Sequence, residues 1–251
     1  MKIQICSDLH LEFSNNRDWL KMNPIIPKGD ILIIAGDTFY LDRDYGELEF
    51  IKKVSKEFQS VYLIPGNHEY YGGFDVSTAL ESTCQKVLEN VFIVNNHTIE
   101  HDDIKLIFST MWSKIQSNFL EVLRGMADFR YIKFKGEPFS INHFNEIHAA
   151  SFEFLSDEVK KKGKKVVITH HLPSSLCNIE EYKGSILNDA FCVEKTDFIT
   201  NHEIDYWIYG HSHRNLKDFT IGDTKMITNQ FGYVGMNEHY SFNYEKVIEV
   251  K

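Results

Sequence analysis

Five short apolar runs, each ending in a residue able to hold a cation or a proton, limit what this chain can fold into. Ile3 to Cys6 runs into Ser7-Asp8-Leu9-His10, and Asp30-Ile31-Leu32-Ile33-Ile34-Ala35 ends at Gly36-Asp37. Val61-Tyr62-Leu63-Ile64 leads through Pro65-Gly66 to Asn67-His68-Glu69. Lys165 to Thr169 exits into His170-His171, and Asp205 to Tyr209 into Gly210-His211-Ser212-His213. Continuous apolar runs of this length read as strands covered on both faces, as in sheets sandwiched between helices. Turns at the carboxyl ends of such strands are where open α/β sheets place their sites.

The intervening segments supply the helices. Between residues 44 and 59, Leu48, Ile51, Val54 and Phe58 fall on one helical stripe. The spacing predicts further helices at about 75 to 90, 142 to 162 and 191 to 199, with Lys160-Lys161-Lys162 a solvated helix end before Gly163. Short strands are expected near 91 to 94, 98 to 101 and 105 to 109. The segments 216 to 221, 225 to 228 and 246 to 250 alternate like antiparallel strands. Residues 110 to 140 are irregular and read as an insertion folding over the site, inside one domain spanning 1 to 251. There Trp112, Phe119 and Phe129 suit either a dimer contact or a substrate wall.

Composition narrows the partners. A chain of 251 residues, 43% hydrophobic, can bury one sizeable core. Its formal charge of -9 argues against an extended nucleic-acid surface and leaves room for a local site that takes a nucleotide or a short strand. Cys6, Cys84, Cys177 and Cys192 are scattered and form no disulfide framework. With no signal segment and no long uncharged apolar window, the expectation is a cytoplasmic protein without a membrane span.

Residues two apart on an extended segment face the same side, so Asp8 with His10, and His211 with His213, can each converge on one point. Asp37 and Asn67 add hard oxygens, His170 adds an imidazole, and His68 brings a proton that titrates near neutral pH. His171, next to His170, should point away and serve a structural role, while Glu69, Tyr70 and Tyr71 either anchor the loop or face substrate. Oxygen and imidazole donors without thiolate favour Mn, Fe, Zn, Ni or Co. They outnumber the needs of one ion, which points to two divalent metal ions sharing a carboxylate.

The series Asp8-x-His10, Gly36-Asp37, Gly66-Asn67-His68-Glu69, His170-His171 and Gly210-His211-x-His213 resembles, in order, the five blocks of the calcineurin-like metallophosphoesterase superfamily. The resemblance implies an α/β fold, a four-layer α/β/β/α sandwich of two mixed sheets flanked by helices. It implies that Asp8, His10 and His213 hold one metal, Asn67, His170 and His211 the other, and that Asp37 bridges them. His68 then resembles the family's non-ligand histidine, which contacts substrate and assists the leaving group. The expected reaction is hydrolysis of a phosphate ester by a hydroxide bridging two metals, manganese favoured, with a phosphodiester or nucleotide as substrate. Phosphomonoesters, phosphoproteins or a non-catalytic metal-binding module are the alternatives. Arg130 can offer a bidentate phosphate contact, or instead pair with Asp128 or another acid. The segment from Asn178 to Asp189 is a second candidate wall.

Overall fold

The computed structural model describes residues 1–250. In chain order its strands are β1 (Lys2–Cys6), β2 (Ile31–Ala35), β3 (Ser60–Ile64), β4 (Thr83–Leu88), β5 (Val91–Asn95), β6 (His97–His101), β7 (Ile104–Phe108), β8 (Lys133–Phe134), β9 (Glu137–Pro138), β10 (Lys164–Ile168), β11 (Tyr206–Tyr209), β12 (Phe219–Ile221), β13 (Thr224–Thr228) and β14 (Val247–Glu249). The helices are α1 (Ser14–Met22), α2 (Glu49–Glu57), α3 (Phe119–Gly125), α4 (Asp128–Tyr131), α5 (Ile141–Glu158) and α6 (Thr196–Thr200).

Two six-stranded mixed sheets form, in the orders β14-β1-β2-β3-β5-β4 and β12-β13-β11-β10-β7-β6, and a small hairpin pairs β8 with β9. In each large sheet four parallel strands occupy the centre and an antiparallel strand closes either edge. The alternation of each central strand explains the layering. Ile3, Ile31, Ile33 and Ile64 from one sheet pack against Leu106, Phe108, Val166 and Ile208 from the other. The opposite face of β2 and β3, through Leu32, Ile34, Val61 and Leu63, takes Leu20 of α1 and Ile51 and Val54 of α2. Ile107, Val167 and Trp207 of the second sheet take Leu155 of α5 and Ile199 of α6. Each fully buried Ile or Leu contributes about 1.5–3 kcal/mol, so both faces of both sheets are held by burial rather than by strand propensity. No helix among the described residues is long and apolar enough to cross a membrane.

Two helix expectations change and one helix is added. Residues 75 to 90 form a 3₁₀ segment, Val76–Leu80, followed by strand β4, which pairs antiparallel with β5 across the two-residue turn Glu89-Asn90. Helical spacing there loses because the edge of the sheet offers a row of unpaired backbone groups that β4 satisfies. Around 191 to 199 the helix is confined to α6. At Ser14–Met22 a helix forms that the pattern of apolar residues did not announce, since only Asn16 and Leu20 of it are buried. By contrast α5 starts where expected, with Ser140 Oγ accepting the His143 N–H at 3.3 Å.

Residues 110 to 140, together with α5, make a core of their own in which Trp112, Val122, Met126, Ile132, Phe134 and Phe139 surround Phe144 and Ile147. Trp112 is buried in that core, Phe119 is exposed, and Phe129 stacks on Phe139.

Candidate metal centre

The loops leaving β1 and β2 run side by side. Asp8, His10 and Leu11 donate their N–H groups to the carbonyls of Gly36, Asp37 and Thr38 at 3.0, 2.9 and 2.8 Å. This ladder, continued past the strand ends, brings Asp8, His10 and Asp37 together in full burial. From the second sheet, Gly210 N–H donates to the His170 carbonyl at 3.0 Å, and His211 N–H to Asp8 Oδ1 at 2.9 Å. Asp8, His10, Asp37, His211 and His213 all take left-handed backbone conformations, with φ between 47° and 78°. Each such residue costs on the order of 1 kcal/mol, and strain of this kind collects at functional sites.

The glycines of the motifs are needed for space. A Cβ on Gly66 would strike Asp37 Oδ1 and lie 2.6 Å from His170 Nε2. One on Gly36 would enter the His170 ring, and one on Gly210 would sit 2.7 Å from Asp8 Oδ2. All three clashes fall on the same cluster.

Three groups of donor atoms result, each within 4.8 Å: Asp8, His10, Asp37 and His213; Asp37, His170 and His211; and, at the rim, His10, Glu12 and His68. In the first, His10 Nε2 and His213 Nε2 face each other at 2.9 Å. His10 Nδ1–H donates to Glu12 Oε1 at 3.0 Å and His213 Nδ1–H to Glu238 Oε2 at 2.8 Å. Both Nε2 atoms therefore present lone pairs to one another, an arrangement that a cation between them makes favourable. In the second, His170 Nδ1–H donates to the Ala35 carbonyl at 2.8 Å, which turns Nε2 toward Asp37 Oδ1 (3.4 Å), Asn67 Oδ1 (3.3 Å) and His211 Nδ1 (3.1 Å). Burial works against charge on His170, yet Asp37 raises its pKa to about 10, so this point in the protein attracts positive charge. Burial alone would raise the Asp37 carboxyl, but His170 and His68 hold it well below the usual carboxylate range. The residues present fit divalent cations: hard and borderline donors, preset tautomers and a room that any Cβ would fill.

The remaining expectations are sorted by the same geometry. His68 lies at the rim of the cluster, its Nδ1–H donated to Glu12 Oε1 at 2.9 Å and its Nε2 3.3 Å from Tyr233 Oη. Asn67 donates from Nδ2 to Asp128 Oδ1 at 2.8 Å and to Tyr71 Oη at 3.0 Å, which turns its Oδ1 toward the cluster. Glu69 anchors the loop, accepting from the N–H groups of Gly66 and Thr38 at 2.7 Å and Asp37 at 3.0 Å. His171 is fully buried, with its ring 4.1 Å from that of His211 and 5.2 Å from that of Trp112. Arg130 departs from the expectation: it is exposed at the end of α4 and is not part of the cleft wall. Neither does it pair with Asp128, whose Oδ1 accepts from Asn67 and Tyr71. What this segment delivers to the site is the buried Asp128, a residue the sequence pattern passed over.

Glu12 was also missed. Past Cys6 the chain is not extended as the spacing suggested, since Asp8 and His10 take φ of 56° and 47°. This left-handed path, rather than strand alternation, brings Asp8, His10 and Glu12 to the site. Glu238 and Tyr233 carry no signal in the sequence. A cleft of about 460 Å³ opens above the cluster, bordered by Asp37, Asn67, His68, His211 and His213 and walled by residues 125–127, part of 178–191 and Tyr233. The segment from Asn178 to Asp189 thus does form a wall. A separate cavity of about 520 Å³ between α1 and α2 touches none of the cluster residues.

Paired sheets that deliver a carboxylate and imidazole cluster at a shared edge place the molecule among the metallophosphatase folds. The chain belongs to the calcineurin-like phosphoesterase family, whose family model matches residues 1–215. It is 30% identical to the uncharacterized protein L509 of Acanthamoeba polyphaga mimivirus over 282 aligned residues, 99% of this chain and 96% of that protein. Among solved structures it is similar to the phosphopantetheinyl hydrolase PptH of Mycobacterium tuberculosis, with a TM-score of 0.66 and 13% identity over 98% of this chain and 95% of that one. At that identity the likeness is one of fold.

Proposed function

We propose that the protein hydrolyses phosphodiesters with the help of two divalent cations, manganese favoured. Asp8, His10 and His213 would hold one, Asn67, His170 and His211 the other, and Asp37 both. The observation that carries this reading is the orientation of Asp37. Its Oδ2 faces the first group, 3.7 Å from His10 Nε2, and its Oδ1 the second, 3.4 Å from His170 Nε2. Bound there, such cations lower the pKa of water and draw charge from phosphoryl oxygens.

The chain's own residues supply the proton. Burial would lower the pKa of His68, but in the metal-free protein Asp37 and Glu12 raise it to about 9; with cations held on Asp37, Glu12 remains as the carboxylate that favours the protonated ring. Glu12 anchors Nδ1, which leaves Nε2 to protonate the departing alkoxide. Glu12 accepts from His10 and His68 on one oxygen, and so sets both rings in the same frame. Tyr233, with its Oη near His68 Nε2, borders the place where the leaving group departs. A diester brings less negative charge than a monoester to an already acidic protein, which favours it as substrate.

The test is hydrolysis of bis-p-nitrophenyl phosphate by metal-stripped protein titrated with Mn, beside His211→Ala. Mn-dependent turnover abolished by the substitution is expected. If Mn binds and neither protein turns over, the diester reading is wrong.

A further inference from the structure

One side of the cleft is walled by two segments that touch. A Cβ on Gly125, at the end of α3, would meet Leu187 Cδ2 at 2.8 Å, so the insertion and the loop from Asn178 to Asn188 meet without a gap. Apart from the cluster residues and the carboxylate of Glu238, this wall is apolar or neutral, with Met126, Leu187 and Phe191 beside Tyr71, Asn178 and Asn188 in its lining. Among the described residues no Lys or Arg lines it. Arg214, next to His213 in sequence, is already paired, donating from Nη1 to Glu238 Oε1 at 3.0 Å with its guanidinium 5.6 Å from the Tyr182 ring centre.

One wall residue is under-satisfied. Asn178 is 4% exposed and donates from Nδ2 to Asn188 Oδ1 at 2.8 Å, while its own Oδ1 is buried without a partner. A buried polar atom in that state costs about 1–3 kcal/mol, which a donor on a bound molecule would recover. The flat rings of Tyr71, Phe191 and Tyr233 also line the cleft.

We infer that the cleft takes an ester of a single phosphate whose organic group is uncharged, flat or apolar along part of its length, and equipped with a hydroxyl or amide N–H for Asn178. The inference rests on the phosphoesterase reading above. A second phosphate would lie against a wall that offers no counter-charge, so its desolvation would go uncompensated. Nucleoside di- and triphosphates and nucleic-acid strands are therefore poor substrates, whereas a nucleoside monophosphate ester or a comparable neutral alcohol fits.

Three p-nitrophenyl diesters with the same leaving group test this on the Mn-loaded full chain: those of methyl phosphate, of thymidine 5′-phosphate, and of thymidine 3′,5′-bisphosphate esterified at the 5′ position. Replacing methyl by thymidine should raise kcat/KM by about tenfold or more, and the added 3′-phosphate should cancel that gain, each tenfold being about 1.4 kcal/mol. A bisphosphate ester turned over as well as the thymidine ester, or a methyl ester as good as either, overturns the inference. Absence of turnover with all three overturns the phosphodiester reading above instead. Calorimetric binding of thymidine 5′-phosphate and thymidine 3′,5′-bisphosphate then decides the wall chemistry by itself: tenfold weaker binding of the bisphosphate supports it, and equal or tighter binding refutes it. Met126→Lys should improve the bisphosphate ester relative to the thymidine ester. Asn178→Leu should raise KM for the thymidine ester more than for the methyl ester, and an unchanged ratio overturns the donor assignment.

Discussion

The two halves of the cluster use the same kinds of donor and are held by different means. Behind His10 and His213 stand carboxylates, Glu12 with its side chain buried and Glu238 half-buried at the cleft. Behind His170 stands a peptide carbonyl, and His211 is wedged between the rings of His171 and Phe191 with its Nε2 unpartnered. Asn67 is oriented by Asp128, which arrives from the insertion. A carboxylate behind an imidazole makes it more basic as well as orienting it, whereas a carbonyl mainly orients. The first half should hold its cation the more tightly, and the second should depend on the insertion being in place.

Asp37 belongs to both halves, so replacing it removes the contrast altogether. Asp37→Asn is expected to lower kcat on bis-p-nitrophenyl phosphate by on the order of 10³ and to bring Mn below one equivalent per chain in equilibrium dialysis. Two full equivalents bound to that variant would end the shared assignment.

His68 shares Glu12 with His10 and so belongs to the carboxylate-backed half. His68→Asn should slow diesters with alkyl leaving groups by about 10², and p-nitrophenyl esters, which need no proton, far less. Equal losses on both series would take the proton-donor role away from it.

The contrast itself is sharpened by a pair of substitutions. Glu238→Gln should weaken one cation-binding event by about 10- to 100-fold, and Asp128→Asn the other by about tenfold, as resolved by calorimetric titration with Mn. Should both variants weaken the same event, the two halves are not independent in the way described.

The smallest effect is one of stability. His148, under the insertion, is bonded through Nδ1 to the Trp112 carbonyl at 2.6 Å, and burial lowers its pKa from 6.5 to about 4. Between those values the unfolded chain binds the proton that the folded protein excludes. This contribution is complete above pH 6.5 and is lost as pH falls toward 4, by about 1.4 kcal/mol per pH unit. Urea unfolding at pH 6.5 and 5.5 should show the loss, and His148→Gln should flatten it. An unchanged slope in the variant would assign the acid sensitivity elsewhere, including the other half of the cluster.

Much of the centre is readable from the sequence because each of the seven candidate ligands, and His68, lies within four residues of the end of a buried strand. An apolar run announces such a strand locally, and the glycines beside the ligands mark where the backbone must come close. The partners of those ligands are a different matter. Asp128 is 61 residues from Asn67, and Glu238 is 25 from His213. Neither position carries a pattern of its own. Arg130 looked suited to phosphate by chemistry alone, yet the four-residue helix that carries it turns Asp128 inward and leaves Arg130 in solvent.

The sequence by itself determines the strands, their polar exits and the donor chemistry, because these depend on neighbours a few residues away. Only the tertiary structure decides that residues 83–88 extend along the sheet edge instead of coiling, that Asp128 sets the face of Asn67, and that the wall of the cleft presents no Lys or Arg among the described residues. Each of those depends on which distant backbone or side chain completes a hydrogen bond or excludes water. Such partners become neighbours only once the two sheets have packed.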